Sequence, residues 1–135
     1  MKASVIVVIA LVSASCAKTV MFTSPTAAVD PETFQRELSG SIVPGGSISR
    51  SFDTAAAGTV TVVLKSTTPA GVAVGMGVGI SRSNGSCALS SAIEAKAGDA
   101  AQISIQADKG AYCAKVYDLG TLQEPLPFTI SISHP

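Results

Sequence analysis

The residues able to do chemistry in this chain are few and far apart. His134 is the single histidine among 135 residues, and it stands one place from the last residue, where fraying is expected. A Ser-His-Asp arrangement would rest on that poorly held imidazole, and no Gly-x-Ser-x-Gly elbow presents a serine to it. Asp53, Asp99, Asp108 and Asp118 are the carboxylates that could meet in space for general acid–base work. Each sits near a turn, where an aspartate ordinarily bonds local backbone. Cys87 and Cys113 with the distant His134 fall short of a four-ligand zinc set. Cys113 as a nucleophile would need a free thiolate beside a base. Gly75, Gly77 and Gly79 alternate along a strand pattern with no helix or phosphate-binding lysine after them, so a glycine-rich phosphate loop fits poorly. The expectation is a non-catalytic protein with no cofactor and no metal.

Composition narrows the remaining classes. Hydrophobic residues make up 47% of the chain but aromatic ones only 4%, there is no Trp, and the formal net charge is zero. Apolar volume must come from Val, Ile, Ala and Leu set among Ser, Thr and Gly, which is the composition of sheets. The nine basic residues are scattered, whereas nucleic-acid binding needs a clustered cationic surface. A length of this order holds one domain with a leader or tether.

Residues 1–17 read as an export signal: Lys2, an apolar run from Ala3 to Val12, then small residues. About twenty apolar residues are needed to span a bilayer, so the run is too short for a permanent helix. Val12-Ser13-Ala14-Ser15-Cys16 resembles the lipobox of bacterial lipoproteins, with Cys16 as the lipidated residue; Ser13 departs from the aliphatic residue usual there. The resemblance implies a membrane lipid anchor, and Ala17 after the cysteine implies outer-membrane sorting. The alternative is ordinary signal-peptidase cleavage after Ala17, which leaves a periplasmic or extracellular protein. Either route removes Cys16 from the cysteine count and leaves Cys87 and Cys113 as a pair. In an oxidising compartment that pair forms a disulfide worth roughly 3.5 kcal/mol in the chain-entropy model; two free buried thiols are the competing reading.

Residues 18–37 lack periodicity, carry Pro25 and Pro31, and read as a tether, with one helical turn at most near Asp30. Residues 38–135 read as an all-β domain, a jelly-roll-like antiparallel β-sandwich of about eight short strands. Leu38 to Val43 and Ser47 to Thr54 flank Pro44-Gly45-Gly46, a connection suited to a hairpin. Val60, Val62 and Leu64 point one way in the next strand. From Val72 to Ser81, Val72, Val74, Met76, Val78 and Ile80 alternate with small residues, giving one apolar face and one bare one. Repeated glycine costs strand stability. The bare face therefore implies close approach of a loop, a strongly bent strand, or a flat groove for a ligand or partner chain. Ser83-Asn84-Gly85-Ser86 is a turn, and Cys87 to Glu94 reads as a loop followed by a short strand. Ile103 and Ile105 face inward, and so do Phe128, Ile130 and Ile132 in the last strand.

Asp108, Gly110 and Tyr112 have the Asp-x-Gly-x-Tyr spacing of a tyrosine corner, in which the hydroxyl bonds backbone a few residues upstream; a plain strand tyrosine after a glycine turn is the alternative. Tyr112, Ala114 and Val116 then face inward, with Cys113, Lys115 and Tyr117 outward. Gly110-Ala111-Tyr112-Cys113-Ala114-Lys115-Val116-Tyr117-Asp118, followed by Phe128-Thr129-Ile130-Ser131-Ile132-Ser133, resembles the end of bacterial pre-peptidase C-terminal type domains. Leu38 to Ser47, with Phe52 and Gly58-Thr59-Val60-Thr61-Val62, is similar to that family's start. The resemblance implies a β-sandwich that accompanies secreted enzymes as a non-catalytic module. The family's calcium site finds no clustered carboxylates to match it here. The functional expectation is a structural or protein-interaction module at the cell envelope with a partner protein. The alternative is a glycan-binding module using Tyr117, the one plausible outward ring, and the Gly-lined strand face. A hydrolase is the third reading.

Overall fold

The computed structural model describes residues 32–135. Eight strands follow one another: β1 (Phe34–Ile42), β2 (Ser47–Thr54), β3 (Gly58–Thr67), β4 (Val74–Ser81), β5 (Cys87–Ala95), β6 (Ile103–Ala107), β7 (Gly110–Tyr117) and β8 (Leu126–His134). They form two antiparallel four-stranded sheets, ordered β1-β8-β3-β6 and β2-β7-β4-β5. Only β4 and β5 are consecutive in the chain and paired in a sheet; every other connection crosses from one sheet to the other. This is the double Greek-key winding of a jelly roll, and no helix occurs among the described residues.

The expected period of two places the core. Val60, Val62 and Leu64 of β3 and Val74, Met76 and Val78 of β4 are fully buried. Ala114 and Val116 of β7 face Phe128, Ile130 and Ile132 of β8 between the sheets. Burial of each large aliphatic side chain contributes about 1.5–3 kcal/mol. With so few aromatic residues, that layer of branched aliphatics carries most of the apolar driving force. Ile80 departs from the expected apolar face. It shares the inward parity of Val78, yet it is 58% exposed, next to the last residue of β4 and opposite Tyr112.

Four other expectations need correction. The segment read as tether through Glu37 is strand from Phe34 on, since Phe34 to Glu37 pair with His134 to Ser131 of β8. Pro44-Gly45-Gly46 does not make a hairpin. The Gly46 amide donates to Val43 O at 2.8 Å and Gly45 takes a positive φ of 72°, which turns the chain, but β1 then pairs β8 and β2 pairs β7. Turn chemistry specifies the reversal; the two apolar rows of β1 and β2 must cover the core from opposite sides, so they part into different sheets. Cys87 to Ala95 is one continuous strand rather than a loop and a short strand. A bulge opposite Val78 and Gly79 shifts its register, which erases the alternation. His134 does not fray: it belongs to β8, and the Pro135 carbonyl accepts from Ala55 N at 3.1 Å. Residues 1–31, with the export signal, Cys16 and the helical turn near Asp30, lie outside the described residues.

Candidate functional site

Cys87 and Cys113 are joined by a disulfide across 26 positions. Cys113 lies in β7 opposite Gly79 of β4, while Cys87 opens β5 on the far side of β4. The bridge therefore draws the start of β5 over the outer surface of its own neighbour. A Cβ at Gly79 would collide with the Ala88 carbonyl group and lie 2.6 Å from Leu89 Cα. At Gly77 it would lie 2.8 Å from a Leu89 methyl carbon, and at Gly75 it would enter the Tyr117 ring. The bare glycine stripe is thus filled from above by the backbone at Ala88, the side chain of Leu89 and the ring of Tyr117. Close approach explains these glycines, and no open groove runs along them. Tyr117, the expected ligand ring, is half-buried on Gly75 with the Lys115 ammonium 6.0 Å from its centroid.

At the corner between β6 and β7, the Asp108 amide donates to the Tyr112 hydroxyl at 3.0 Å. Thr54, buried at the end of β2, completes this corner: its hydroxyl donates to Asp108 O at 2.6 Å and accepts from Gly110 N at 3.0 Å. Asp108 and Gly110 thus act through their main chains. No signal in the sequence singled out Thr54, because its partners lie more than fifty positions away.

The four carboxylates stay separate. Asp99 pairs with Lys65 at 3.1 Å on the surface, next to the bulge of β3. Asp53 faces outward from β2, and Asp108 is exposed at the corner. Asp118 is the most elaborately bonded. Its Oδ2 accepts from Gly45 N at 2.8 Å, and its Oδ1 accepts from Gly120, Thr121 and Leu122 amides at 2.9 to 3.2 Å. The amide of Gly45 above all, with the three others and against a desolvation cost, holds the Asp118 carboxyl below its usual 3.8. Together with Asp118 N donating to Gly46 O at 3.0 Å, this ties the β1–β2 turn to the β7–β8 loop. No group of three His, Cys, Asp or Glu side chains converges among the described residues in the way a metal set requires.

Two surfaces remain that sequence patterns did not single out. One is an open cleft of about 350 Å³ between the β3–β4 and β7–β8 loops, walled by Pro69, Val72, Leu122 and Pro125 with Glu124 as its ionisable residue. The other is the end of the sandwich at which β1 begins. There the His134 ring stacks on Phe52 at 5.1 Å and meets Phe34 at 5.9 Å, and Phe52 stacks on Tyr112 at 6.1 Å. Phe34 is 50% exposed, and Ile80, opposite Tyr112 in the sheet, extends the same apolar row. His134, the expected catalytic candidate, has aromatic neighbours rather than an acid or a nucleophile. Its Nδ1 contacts the adjacent Pro135 carbonyl oxygen at 3.1 Å.

Comparison with protein families finds no matching family model, and comparison with curated proteins finds no match.

Proposed function

We propose that the protein is a non-catalytic, exported interaction module of the bacterial cell envelope, held at the membrane by a lipid on Cys16. In this reading the jelly roll presents edges and ends to a partner protein, in the manner of a pre-peptidase C-terminal type domain standing alone. The observation that carries the reading is the apolar row at the β1 end, where Phe34 and Ile80 are exposed around His134 and Tyr112. Contiguous apolar surface of this kind marks interaction sites. A disulfide in a domain this small is compatible with an exported location. Intact mass of the protein from fractionated cells tests the proposal. The expected species is membrane-associated, oxidised and begins at an acylated Cys16. A species beginning at Lys18 without acyl mass removes the anchor, and a reduced, uncleaved cytosolic chain removes export altogether.

A second reading is glycan binding through Tyr117, favoured by the partial exposure of its ring beside Lys115 on an outer sheet face. A glycan array comparing the natural protein with Tyr117→Ala checks it; binding unchanged by the substitution, or no binding at all, sets this reading aside.

A further inference from the structure

The four sheet edges are not alike. β6 is only five residues long, and β5 is bulged and tied down by the disulfide. β1 and β2, with nine and eight residues, are regular along their whole pairing and contain no proline. Among the described residues, each therefore presents an unbroken row of unpaired backbone groups on one side of the sandwich, the arrangement that accepts a further strand.

Between these two edges the sandwich has a mouth with a defined sequence of levels. At the lower level His134 bridges Phe34 of β1 and Phe52 of β2. At the upper level a Cβ on Gly40 of β1 would lie 3.1 Å from the Ile48 methyl of β2, and Leu38 and Ile48 line a small apolar slot with Phe128. Arg36 and Arg50 fall between those levels. Both belong to the inward-facing rows, since Arg36 is opposite Ile132 and Arg50 opposite Ala114, and both are exposed. Neither has a carboxylate partner among the described residues. The one acidic residue of each strand, Glu37 and Asp53, belongs to the outward row, opposite Ser131 and Ala111. The mouth is therefore apolar, then doubly cationic, then apolar, at the two-residue pitch of a strand.

From this we infer that the β1 edge, as the interaction surface of the module proposed above, takes an extended segment of a partner protein with the pattern apolar-x-acidic-x-apolar. The added strand pairs its main chain with β1. Its apolar residues cover Phe34 and the Leu38 slot, and its carboxylate lies between Arg36 and Arg50. The two guanidiniums select by charge: they reject neutral or basic strands, which protects an otherwise open edge, and they admit an acidic one.

Fluorescence anisotropy with the full chain and a labelled, acetylated peptide tests this. The probe alternates threonine and valine, with one glutamate replacing the central valine; companion peptides carry glutamine or lysine there. The glutamate peptide is expected to bind at least about tenfold more tightly than the lysine peptide at low salt and to weaken as salt is added. Arg50→Glu, which leaves Arg36 as the one cation of the mouth, should abolish the preference for glutamate, and Arg36→Glu/Arg50→Glu should reverse it toward lysine, with an unchanged Tm showing that the domain still folds. Amide shifts on binding should concentrate in residues 34–42. Binding blind to the central charge, shifts confined to another edge, no binding of any peptide, or occupation of the edge by a second copy of the chain would each overturn the inference. All four outcomes leave the acylated mass at Cys16 untouched, so export and anchoring stand or fall separately.

Discussion

Gly79→Ala should be the most damaging small substitution on the outer surface of the β2-β7-β4-β5 sheet. Alanine is ordinarily the better strand residue, by roughly 0.5–1 kcal/mol in backbone entropy. Here the new methyl collides with the Ala88 carbonyl group and comes within 2.6 Å of Leu89 Cα. Those atoms are main chain, and they are pinned from one side by the ladder to β4 and from the other by the Cys87–Cys113 bridge. Overpacking against atoms that can shift costs about 1–3 kcal/mol, and this site lies at the upper end because β5 cannot lift. The net loss is about 2 kcal/mol, or roughly 8–16 °C in Tm for a domain of this size. Gly75→Ala provides the contrast: the three nearest atoms to the new methyl all belong to the Tyr117 ring, and a side chain can swing aside, so the net effect stays within about 1 kcal/mol. Urea unfolding of both variants, alone and combined with Cys87→Ser/Cys113→Ser, measures the effect. Without the bridge the start of β5 is free to rise, and the cost of Gly79→Ala should fall by at least about 1 kcal/mol. Equal costs at Gly75 and Gly79, or a Gly79 cost indifferent to the disulfide, would refute the reasoning.

Three further outcomes follow from the same contacts. Cys87→Ser/Cys113→Ser alone should lower stability by roughly 3.5 kcal/mol through the loop that the bridge closes, read from urea unfolding with a steeper slope because the unlinked denatured chain is more expanded. Tyr112→Phe removes the acceptor of the Asp108 amide while leaving the ring on Phe52, so thermal unfolding should show a loss of about 1 kcal/mol and no change in fold. The folded Asp118 carboxyl titrates below its usual 3.8, so its contribution is fully present above that value and is lost as pH falls through it toward the lower folded value. Asp118→Asn should flatten the acid limb of stability measured by circular dichroism; an acid limb identical to that of the natural chain would show that the carboxylate does not clamp the two turns.

Much of the architecture was legible because it rests on local alternation. Val60, Val62 and Leu64, or Phe128, Ile130 and Ile132, can satisfy their side chains only by facing one core, so their inward placement follows from period and composition alone. The pairing of Cys87 with Cys113 was likewise an expectation of the cysteine count, with Cys16 set apart in the leader. Where the sequence misled, a distant partner had intervened. Cys87 to Ala95 lost its alternation to a bulge imposed by Val78 and Gly79, and Phe34 to Glu37 became strand because β8 extends to His134.

The chain by itself determined a small all-β domain with a Val-, Ile- and Leu-rich core and one cross-link. Tertiary structure alone decided which strands are neighbours. Pairing energy depends on residues brought together across the whole chain, and a turn such as Pro44-Gly45-Gly46 reverses direction without naming the sheet the chain will join. That choice put the Tyr117 ring onto Gly75 and the His134 ring between two phenylalanines. It also set Arg36 and Arg50, unremarked in a chain of scattered charges, on the facing edges of one mouth.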